Sequence, residues 1–425
     1  MSSGNPGRET AAVTDAPAVD VDTLLAEIFL TPEGKSDPYA RYAAIRERAR
    51  AFRSTMGFVV VGRYEDCQWV LRDARFGKGD PNWPIWDEYG LTEDEWRARF
   101  SGVEQRTTSM LGLDPPDHTR LRRLVAKAFT PKTVENLRPD IVRLTDALLA
   151  GFDGVVDVMP ELALQLPMAV IGEMLGIPES DRAELQPHVR AAAATLEFNP
   201  PLEQMDAAAS AGKIIAEHLE DLIAARRAAP TDDLLSELIH VEEQGDQLSH
   251  SELIATVMLI FGAGFETTTN LIGNGLLALL EHPSELRRLR NDRSLMKTAV
   301  EELLRWDSPV QIDGRITFED VELDGTSVAA GEQLVTLIGA ANRDPRVFED
   351  PERFDVGRVG QAPMSFGAGI HFCLGAALAR AEGQVVFERL LDRFPVIEPA
   401  WAAGRPAYRD SLVLRGLESL PVRFG

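Results

Sequence analysis

The chain contains very little cysteine: two residues, Cys67 and Cys373, in 425 positions. Two cysteines so far apart exclude the multiple-disulfide framework that is typical of small secreted proteins. Basic residues are also scarce, since 44 Lys and Arg stand against 67 Asp and Glu, for a formal net charge of -23. This balance argues against nucleic acid or an anionic membrane surface as the main partner.

A long apolar run is missing as well. The strongest one, Leu253–Phe265, is interrupted by one Thr, is too short to cross a bilayer, and is followed by Glu266 within the same helical pattern. We therefore predict a buried core helix there and no membrane span. Residues 1–20 are rich in Ser, Gly, Pro and Ala. We expect them to form a disordered tail rather than an export signal, and we expect a cytoplasmic protein.

Helical periodicity dominates the chain from Val21 to about Arg305, and Pro and Gly mark the breaks. The predicted helices are Asp37–Ala51, Glu65–Arg72, His118–Ala128, Lys132–Ala150, Leu162–Leu175, Leu202–Arg227 and a long one from near Ser251 to His282. The predicted strands are Phe58–Val61, Gly314–Phe318, Val321–Leu323, Ser327–Ala329, Gln333–Leu337, Leu412–Leu414 and Leu420–Phe424. The pattern indicates a mainly α protein with a small β part, which we interpret as one domain over residues 21–425.

Half of the six tryptophans lie in one long connection, Gly77–Thr108. They are Trp83, Trp86 and Trp96. A segment of this kind either packs locally as a long loop or forms an aromatic lid over an apolar pocket. The sequence leaves both interpretations open.

The setting of Cys373 is distinctive. The segment Phe366–Gly375 reads FGAGIHFCLG and precedes an apolar helical pattern. A cysteine at a helix start experiences the positive end of the macrodipole and free backbone N–H groups, which favour the thiolate, and the glycines allow close approach of a flat ligand. Cys373 therefore suits a metal ligand. A buried cysteine without chemical role and a nucleophile with His371 as its base are the alternatives. Cys67, in a predicted helix, is expected to be a small core residue.

The long predicted helix contains costly residues at its centre, where residues 262–270 read GAGFETTTN. Each glycine in a helix interior costs about 1 kcal/mol relative to alanine. A buried glutamate costs more unless it has a partner. A carboxylate beside a hydroxyl can relay protons, which makes Glu266 and Thr267 candidates for that role. A kinked helix with internally bonded threonine hydroxyls is the alternative.

Two further pairs are indicated by their spacing alone. Glu302 and Arg305 are three residues apart on one predicted helix face and can form an ion pair. His118 and Arg122 are four residues apart at the start of another predicted helix and can grip one carboxylate together. A solvated helix face is the alternative for each pair.

Together these stretches resemble the cytochrome P-450 superfamily, especially its soluble bacterial branch, over roughly Asp37–Gly425. The cysteine segment matches the family pattern F-x-x-G-x-H-x-C-x-G at every specified position. Ala263–Thr268 matches A-G-x-E-T-T, and Glu302 with Arg305 matches E-x-x-R. The cysteine pattern is highly specific, and the others gain specificity from their order and spacing. The resemblance implies the fold of that family, with haem between the long central helix and the helix that follows the cysteine.

The resemblance also implies a role for each matching residue. Cys373 would be the axial ligand of the iron of haem b, and Glu266 with Thr267 would deliver protons to dioxygen. The implied propionate-binding residues are His118, Arg122, Arg315 and His371, while the other implied haem contacts are Phe366 and Gly375. The implied structural network consists of Glu302, Arg305 and either Arg353 or Arg358. The implied pocket residues are Met110, Phe198, Ala263, Gly264, Val310, Ile312 and Leu412.

The implied activity inserts one oxygen atom from O2 into an apolar small molecule such as a terpenoid, steroid, fatty acid or polyketide. Because we find no fused flavin domain and no cysteine cluster for an iron–sulfur centre, we expect electrons from NAD(P)H through a separate ferredoxin reductase and ferredoxin. The expected ferredoxin contacts are Arg122, Arg123, Lys127 and Arg380. We expect a monomer. The alternatives are epoxidation, phenol coupling or peroxide-driven oxidation by the same haem, a haem protein without turnover, and a cysteine hydrolase.

Overall fold

The structure, a computed structural model, describes residues 20–79, 90–100, 109–197, 200–240, 242–243, 246–401 and 404–425. The expected N-terminal tail up to residue 19 lies outside these ranges, as do Trp83, Trp86 and Phe198. Within the ranges described, no helix has both the length and the apolar character that a membrane span requires.

Helices make up most of the described chain, which confirms the predicted fold class. They are α1 (Val21–Leu30), α2 (Pro32–Ser36), α3 (Tyr39–Arg48), α4 (Tyr64–Arg72), α5 (Glu93–Phe100), α6 (Asp117–Val125), α7 (Pro131–Leu149), α8 (Gln165–Leu175), α9 (Glu179–Ala193), α10 (Leu202–Ala228), α11 (Leu234–His240), α12 (His250–Glu281), α13 (Pro283–Asn291), α14 (Met296–Trp306), α15 (Ile338–Ala341) and α16 (Ala376–Arg393). Single turns of 3-10 or π helix lie at Ala126–Phe129, Met159–Ala163, Ala194–Leu196, Arg293–Leu295 and Gly369–His371.

The β part consists of short strands. They are β1 (Ala51–Arg53), β2 (Val59–Val61), β3 (Phe76–Gly77), β4 (Gly154–Asp157), β5 (Glu242–Glu243), β6 (Asp246–Gln247), β7 (Ile312–Thr317), β8 (Val321–Leu323), β9 (Thr326–Val328), β10 (Gln333–Leu337), β11 (Ile397–Pro399) and β12 (Pro421–Phe424). One sheet has the order β1-β2-β10-β7-β3, and only β2 and β10 run parallel in it. A second sheet has the order β11-β12-β4, and β5-β6 and β8-β9 form two-stranded sheets.

Most predicted elements agree with the structure within a few residues, but two predictions are wrong. Leu412–Leu414 is not a strand, since it holds only one isolated bridge, from Leu414 to Val310. Leu412 and Leu414 are buried, so the apolar pattern that suggested a strand reflects burial and not strand pairing. The helix predicted to reach Ala51 ends at Arg48, and Ala51 begins β1, where it pairs with β2. Pairing with β2 makes Ala51 part of a strand, whereas the lack of pairing along Leu412–Leu414 leaves that segment irregular, and local periodicity shows neither.

The long helix α12 runs through the middle of the helical part. Ser249 and Glu252 form a capping box that fixes its start. The helix packs against α8, α14 and α16, and every residue from Thr268 to Leu280 is buried. Before that buried stretch, a partly exposed stripe with four-residue spacing follows one face of the helix. Its members are Leu259, Ala263 and Thr267. This stripe, which we call the open stripe, is where a ligand can reach the central helix.

The described part of the tryptophan-rich connection packs against another helix. Trp96 on α5 is 8% exposed and forms a small apolar cluster with Met205 and Ala209 of α10. Arg99 also pairs with Asp206 of α10 at 2.5 Å. Local packing is therefore present in this segment, and a lid function stays a prediction.

Glu382 is a buried acid on α16. It is 2% exposed, and its Oε2 atom has no hydrogen-bond partner in the described part of the chain. Burial raises the pKa of Glu382 to about 8, because the charged carboxylate loses its hydration inside the protein. The folded protein therefore holds a proton on Glu382 that the unfolded chain releases at lower pH.

The free energy of unfolding should consequently fall as the pH rises from 4.5, the ordinary pKa, to about 8. The slope from one such group is at most about 1.4 kcal/mol per pH unit. We expect Glu382→Gln to remove this contribution, because glutamine carries no charge at any pH. Thermal midpoints of both proteins across this pH range measure the effect. Glu388→Gln, a half-buried neighbour on α16, should keep the wild-type dependence, and an unchanged slope in Glu382→Gln would contradict the prediction.

Candidate functional site

The cysteine segment forms a tight loop that internal contacts hold in shape. The N–H of Cys373 donates to the carbonyl of Phe366 at 2.9 Å. Gly367 and Gly369 have φ values of +68° and +70°, which glycine adopts without strain. A Cβ at position 369 would lie 2.1 Å from the carbonyl oxygen of Leu71. Glycine is therefore required for the loop to lie this close to α4.

The thiol of Cys373 lies just before a helix. Its side chain is exposed, and α16 begins three residues later at Ala376. The protein packed around the sulfur raises the pKa of the Cys373 thiol by desolvation, whereas the N–H of Gly375 and the guanidinium groups of Arg122 and Arg380 lower it. The helix start thus favours the thiolate as predicted, but desolvation outweighs it. A bound metal cation would supply the missing stabilisation, because coordination deprotonates a thiol.

Two arginines neighbour the cysteine loop, and both are engaged within the protein. Arg122 of α6 donates to the carbonyl of Phe372 at 2.5 Å. The guanidinium carbon of Arg380 lies 4.3 Å from the ring centroid of Phe366, and the same side chain pairs with Glu301. Arg122 therefore holds the loop, and Glu301 neutralises Arg380.

Two histidines meet beside the loop. The ring centroids of His118 on α6 and His371 are 4.3 Å apart. Both ring nitrogens of His118 and Nε2 of His371 are buried and have no hydrogen-bond partner among the residues described. Desolvation lowers the pKa of both histidines, and nearby Lys78 and Arg315 help to lower that of His371 to about 3. Buried nitrogens without partners are costly, so this place suits a ligand that brings acceptor oxygens.

Arg315 on β7 lies beside a second, partly buried cation, Lys78. Nη1 of Arg315 and Nζ of Lys78 both donate to Oδ1 of Asp313, at 2.7 and 2.8 Å. Arg315 is 2% exposed, and its Nη2 is another buried nitrogen without a partner in the described ranges. Lys78 follows β3, and β3 pairs with β7, so the sheet brings the two cations together. No local sequence pattern marks Lys78 as a site residue.

This group of imidazoles and cations fits the prosthetic group that the sequence resemblance implies. Haem carries two propionate carboxylates, which accept hydrogen bonds from Arg, Lys and His. Nη2 of Arg315 and one ring N–H of each of His118 and His371 can act as donors of this kind, and Cys373 offers the sulfur ligand. An added Cβ at Gly375 would meet no described atom within 4 Å, so the loop leaves open space there. The residues therefore fit haem.

Replacing Lys78 with methionine should speed the loss of haem at least about tenfold, because a charge-assisted hydrogen bond contributes about 1.5–3 kcal/mol. The change keeps most of the apolar side-chain volume and removes one positive charge next to the proposed propionates. Transfer of haem to excess apomyoglobin measures the rate of loss independently of activity.

The matched control is Arg75→Gln. Arg75 lies three residues before Lys78, pairs with Asp73 at 2.6 Å, and has a side chain that is 41% exposed. We expect this variant to lose haem at the wild-type rate. If Lys78→Met also loses haem at the wild-type rate, then Lys78 does not hold the cofactor.

The structure turns the two residues of the predicted proton relay in different directions. Thr267 lies on the open stripe, and its hydroxyl donates to the carbonyl of Ala263 at 2.8 Å. Glu266 is 2% exposed and accepts a hydrogen bond from Arg409. Thr268 is also 2% exposed, so Thr267 is the threonine that a ligand can reach. Arg409 belongs to a distant loop, and no spacing in the sequence links it to Glu266.

Glu302 and Arg305 form the pair that their spacing predicts. Nε and Nη2 of Arg305 donate to the two carboxylate oxygens at 2.6 and 2.9 Å, and both side chains are almost completely buried. Arg358 is the third member, because its Nε donates to Glu302 at 3.0 Å, whereas Arg353 is exposed and pairs with Asp355. Removal of one partner from such a buried pair costs about 3–5 kcal/mol. The network therefore fastens α14 to the chain that leads to the cysteine loop.

The residues predicted to line a substrate pocket lie in several places. Ile312 and Leu412 are buried in one apolar cluster. Met110 is buried in the main helical core. The partly or fully exposed members are Ala263, Gly264 and Val310. Phe198 lies outside the described residues, so the outline of a complete pocket stays a prediction.

Comparison with known proteins gives consistent matches over almost the whole chain. The family model for cytochrome P-450 matches residues 201–415. The chain is 42% identical over 402 residues to cytochrome P-450 107B1 of Saccharopolyspora erythraea, covering 92% of this chain and 95% of that protein. It is 42% identical over 396 residues to the vitamin D(3) 25-hydroxylase of Pseudonocardia autotrophica, covering 92% and 94% respectively.

Solved structures agree. The structure of P450BioI in complex with an acyl carrier protein ligated to hexadec-9Z-enoic acid matches with a TM-score of 0.86 and 34% sequence identity. The match covers 93% of this chain and 99% of that chain.

Proposed function

The chain belongs to the cytochrome P-450 family of monooxygenases, and on that premise we propose that it inserts one oxygen atom from O2 into an apolar small molecule. The observation that carries the proposal is the exposed thiol of Cys373, held in a closed loop beside buried nitrogens that have no partner in the described protein. A haem monooxygenase must supply a thiolate ligand for the iron and hydrogen-bond donors for the propionate carboxylates.

We assign haem b to this place, between the open stripe of α12 and the start of α16. When bound, haem supplies the oxygen activation and the oxidising power, and the thiolate of Cys373 donates electron density that favours cleavage of the O–O bond. The proposed propionate donors are His118, His371, Arg315, Arg122 and Lys78. Phe366 begins the loop and Gly375 ends it, and both are proposed to contact the haem.

Glu266 and Thr267 are the proposed source of protons. The Thr267 hydroxyl lies on the open stripe, where a group that donates a proton to the reacting oxygen has to lie. Its donor bond to Ala263 holds the side chain in one orientation. Glu266, adjacent in sequence but buried, is the acid that replenishes the proton on Thr267.

The proposed substrate is an apolar molecule such as a terpenoid, steroid, fatty acid or polyketide. The names of the relatives support this range, since one hydroxylates vitamin D(3) and one structure holds a fatty acyl chain on an acyl carrier protein. The apolar character of the residues that the resemblance assigns to the pocket supports it as well. They are Met110, Phe198, Ala263, Gly264, Val310, Ile312 and Leu412.

A separate ferredoxin, reduced by NAD(P)H through its reductase, is the proposed electron donor. The surface around Cys373 exposes the apolar side chains of Ile370 and Phe372, and Arg123 and Lys127 are exposed on and just after α6. An apolar centre with a basic rim suits a small acidic protein.

Charge reversal at Arg123 and Lys127 should slow the reduction of the protein by ferredoxin and should weaken the dependence of that rate on salt concentration. We further propose that the chain acts as a monomer in the cytoplasm.

Two measurements test the function. The reduced, carbon monoxide-bound protein should show the absorption of a thiolate-ligated haem. A spectral-shift screen with terpenoids, steroids, fatty acids and polyketides should then identify a ligand, and turnover of that ligand under 18O2 with a surrogate ferredoxin and reductase should yield a product with one labelled oxygen atom. A product without the label would overturn the proposal, as would the absence of thiolate-type absorption. Consumption of NAD(P)H without product for any ligand would indicate a haem protein without turnover.

A further inference from the structure

Arg380, on the helix that follows the cysteine loop, is held by a carboxylate from a neighbouring helix. Nε and Nη2 of Arg380 donate to Oε1 and Oε2 of Glu301 on α14, the second at 3.1 Å. Nη1 donates to the carbonyl of Ala376, in the first turn of α16, at 3.4 Å. The planar fork of the guanidinium, which binds a carboxylate through two parallel hydrogen bonds, is therefore occupied within the protein.

This ion pair lies against the cysteine loop. The guanidinium carbon of Arg380 is 4.3 Å from the ring centroid of Phe366, and that ring is 6.4 Å from the ring of Phe372. Phe372 and Ile370 are both exposed. The side chains of Arg380 and Glu301 are 27% and 31% exposed. The pair therefore borders the exposed apolar surface that is the proposed docking place of ferredoxin, and water reaches both partners.

The charge of Arg380 also acts on Cys373. Desolvation raises the pKa of the Cys373 thiol, and the positive charges of Arg122 and Arg380 act in the opposite direction. The carboxylate of Glu301 places a negative charge next to Arg380 and cancels part of that effect. Glu301 therefore influences two properties of this surface, which are its attraction for an acidic protein and the electrostatic potential at the sulfur ligand.

We propose that Glu301 competes with ferredoxin for Arg380, an inference that rests on the proposed electron donor. Glu301 withholds the fork of Arg380 from the carboxylates of ferredoxin, so docking is weaker than the cations around Cys373 would otherwise make it. Because a partly exposed ion pair is weak, a carboxylate of the docked ferredoxin can replace Glu301 at little cost. Glu301 therefore keeps docking reversible and lets ferredoxin leave after it has delivered its electron.

Glu301→Gln in the haem-loaded full chain, with a plant-type two-iron ferredoxin as the probe, tests the proposal. Glutamine keeps the length of the side chain and removes its charge. We expect the Kd for ferredoxin to fall about three- to tenfold, mainly through slower dissociation, because Arg380 becomes available to a ferredoxin carboxylate. The Kd should also depend more steeply on salt concentration than in the wild type. Surface plasmon resonance at several salt concentrations measures both effects.

The reduction potential of the bound iron gives a second readout, which needs neither a partner protein nor turnover. In Glu301→Gln the charge of Arg380 is no longer cancelled, and a positive charge favours the reduced iron, which carries one positive charge less. We therefore expect a higher reduction potential in a spectroelectrochemical titration. The reduced, carbon monoxide-bound variant should keep thiolate-type absorption, which shows that the loop and its ligand are intact.

The double variant Glu301→Gln with Arg380→Gln tests whether Glu301 acts through Arg380. It has the net charge of the wild type, and it has no arginine for ferredoxin to bind at this position. We expect its Kd for ferredoxin and its reduction potential to lie close to the wild-type values. A double variant that binds ferredoxin as tightly as Glu301→Gln would show that Arg380 is not involved, and the proposal would be wrong.

Asp146→Asn is the matched control. Asp146 on α7 holds Arg389 of α16 through the same two-bond arrangement, at 2.6 and 2.9 Å, and this pair is also partly exposed. Arg389 lies about 14 Å farther along α16 than Arg380, at 1.5 Å per residue, and salt screens exposed charges over about 8 Å. We expect Asp146→Asn, which makes the same change in net charge, to keep the wild-type Kd and reduction potential.

The outcomes separate this inference from the proposed electron donor. If the wild type neither binds ferredoxin nor is reduced by it, the proposed donor is wrong, and the role of Glu301 is wrong with it. If the wild type binds ferredoxin and Glu301→Gln binds it with the same Kd, the role of Glu301 is wrong and the donor stands. Equal effects of Asp146→Asn and Glu301→Gln would assign the change to net charge and would also overturn the role of Glu301.

Discussion

Replacement of Cys373 with serine is expected to abolish the thiolate-type absorption of the reduced, carbon monoxide-bound protein and to remove all oxygen-dependent product formation. A serine hydroxyl at the end of the cysteine loop is neutral and a weak electron donor, so it can neither bind the iron as a thiolate does nor favour O–O cleavage. The loop itself should survive, because the contact that closes it is made by the backbone N–H of residue 373, with the carbonyl of Phe366. Absorption spectra and product analysis on the same sample measure both effects.

Cys67→Ala is the control for this substitution. Cys67 is fully buried in the apolar cluster beneath the five-stranded sheet, and burial raises the pKa of its thiol. We expect the variant to lose some stability through the cavity it creates and to keep the wild-type absorption. A Cys373→Ser protein that still shows thiolate-type absorption would contradict the assignment of the ligand.

Replacement of Thr267 with valine is expected to separate electron consumption from product formation. Valine has the shape of threonine without the hydroxyl, so the open stripe keeps its surface and loses its proton donor. We expect product formed per NAD(P)H to fall at least about tenfold, since a positioned acid or base contributes about 10²–10⁴-fold, and hydrogen peroxide to appear in its place. Simultaneous measurement of NAD(P)H, product and peroxide tests this.

Thr268→Val distinguishes the role of Thr267 from a general effect on the helix. Thr268 is adjacent in sequence but 2% exposed, so its hydroxyl does not reach the open stripe. We expect Thr268→Val to form product with nearly wild-type efficiency. The reverse result, with Thr268→Val uncoupled and Thr267→Val normal, would show that Thr268 and not Thr267 is the proton donor.

Features that depend on neighbours in the chain were predictable. Helix periodicity, the glycines around Cys373 and the three-residue spacing of Glu302 and Arg305 are all local, because helical geometry places residues three or four apart on one face. The structure accordingly shows most predicted helices within a few residues, and it shows the Glu302–Arg305 pair. The sequence left two candidates, Arg353 and Arg358, for the residue that joins this pair. Only the position of the chain after β10 decides in favour of Arg358.

Features that depend on contacts between distant segments were not predictable. Lys78 joins Arg315 because β3 pairs with β7, and Arg409 reaches Glu266 because its loop crosses α12. β4 was missed for the same reason, since its partner β12 lies at the other end of the chain. The false strand Leu412–Leu414 has the opposite cause, because its apolar residues are buried without pairing along their length.

The amino-acid sequence by itself determined that this is a mainly helical member of its family with Cys373 as the candidate iron ligand and Glu266–Thr267 as the candidate proton source, because those motifs need only residue types at short spacings. The tertiary structure decided which charges surround them. It places Lys78 and Asp313 beside Arg315, neutralises Arg380 with Glu301, and turns Glu266 toward Arg409 and away from Thr267. Burial and pairing of charges depend on segments that meet only in the folded chain, which is why short spacings in the sequence do not show them.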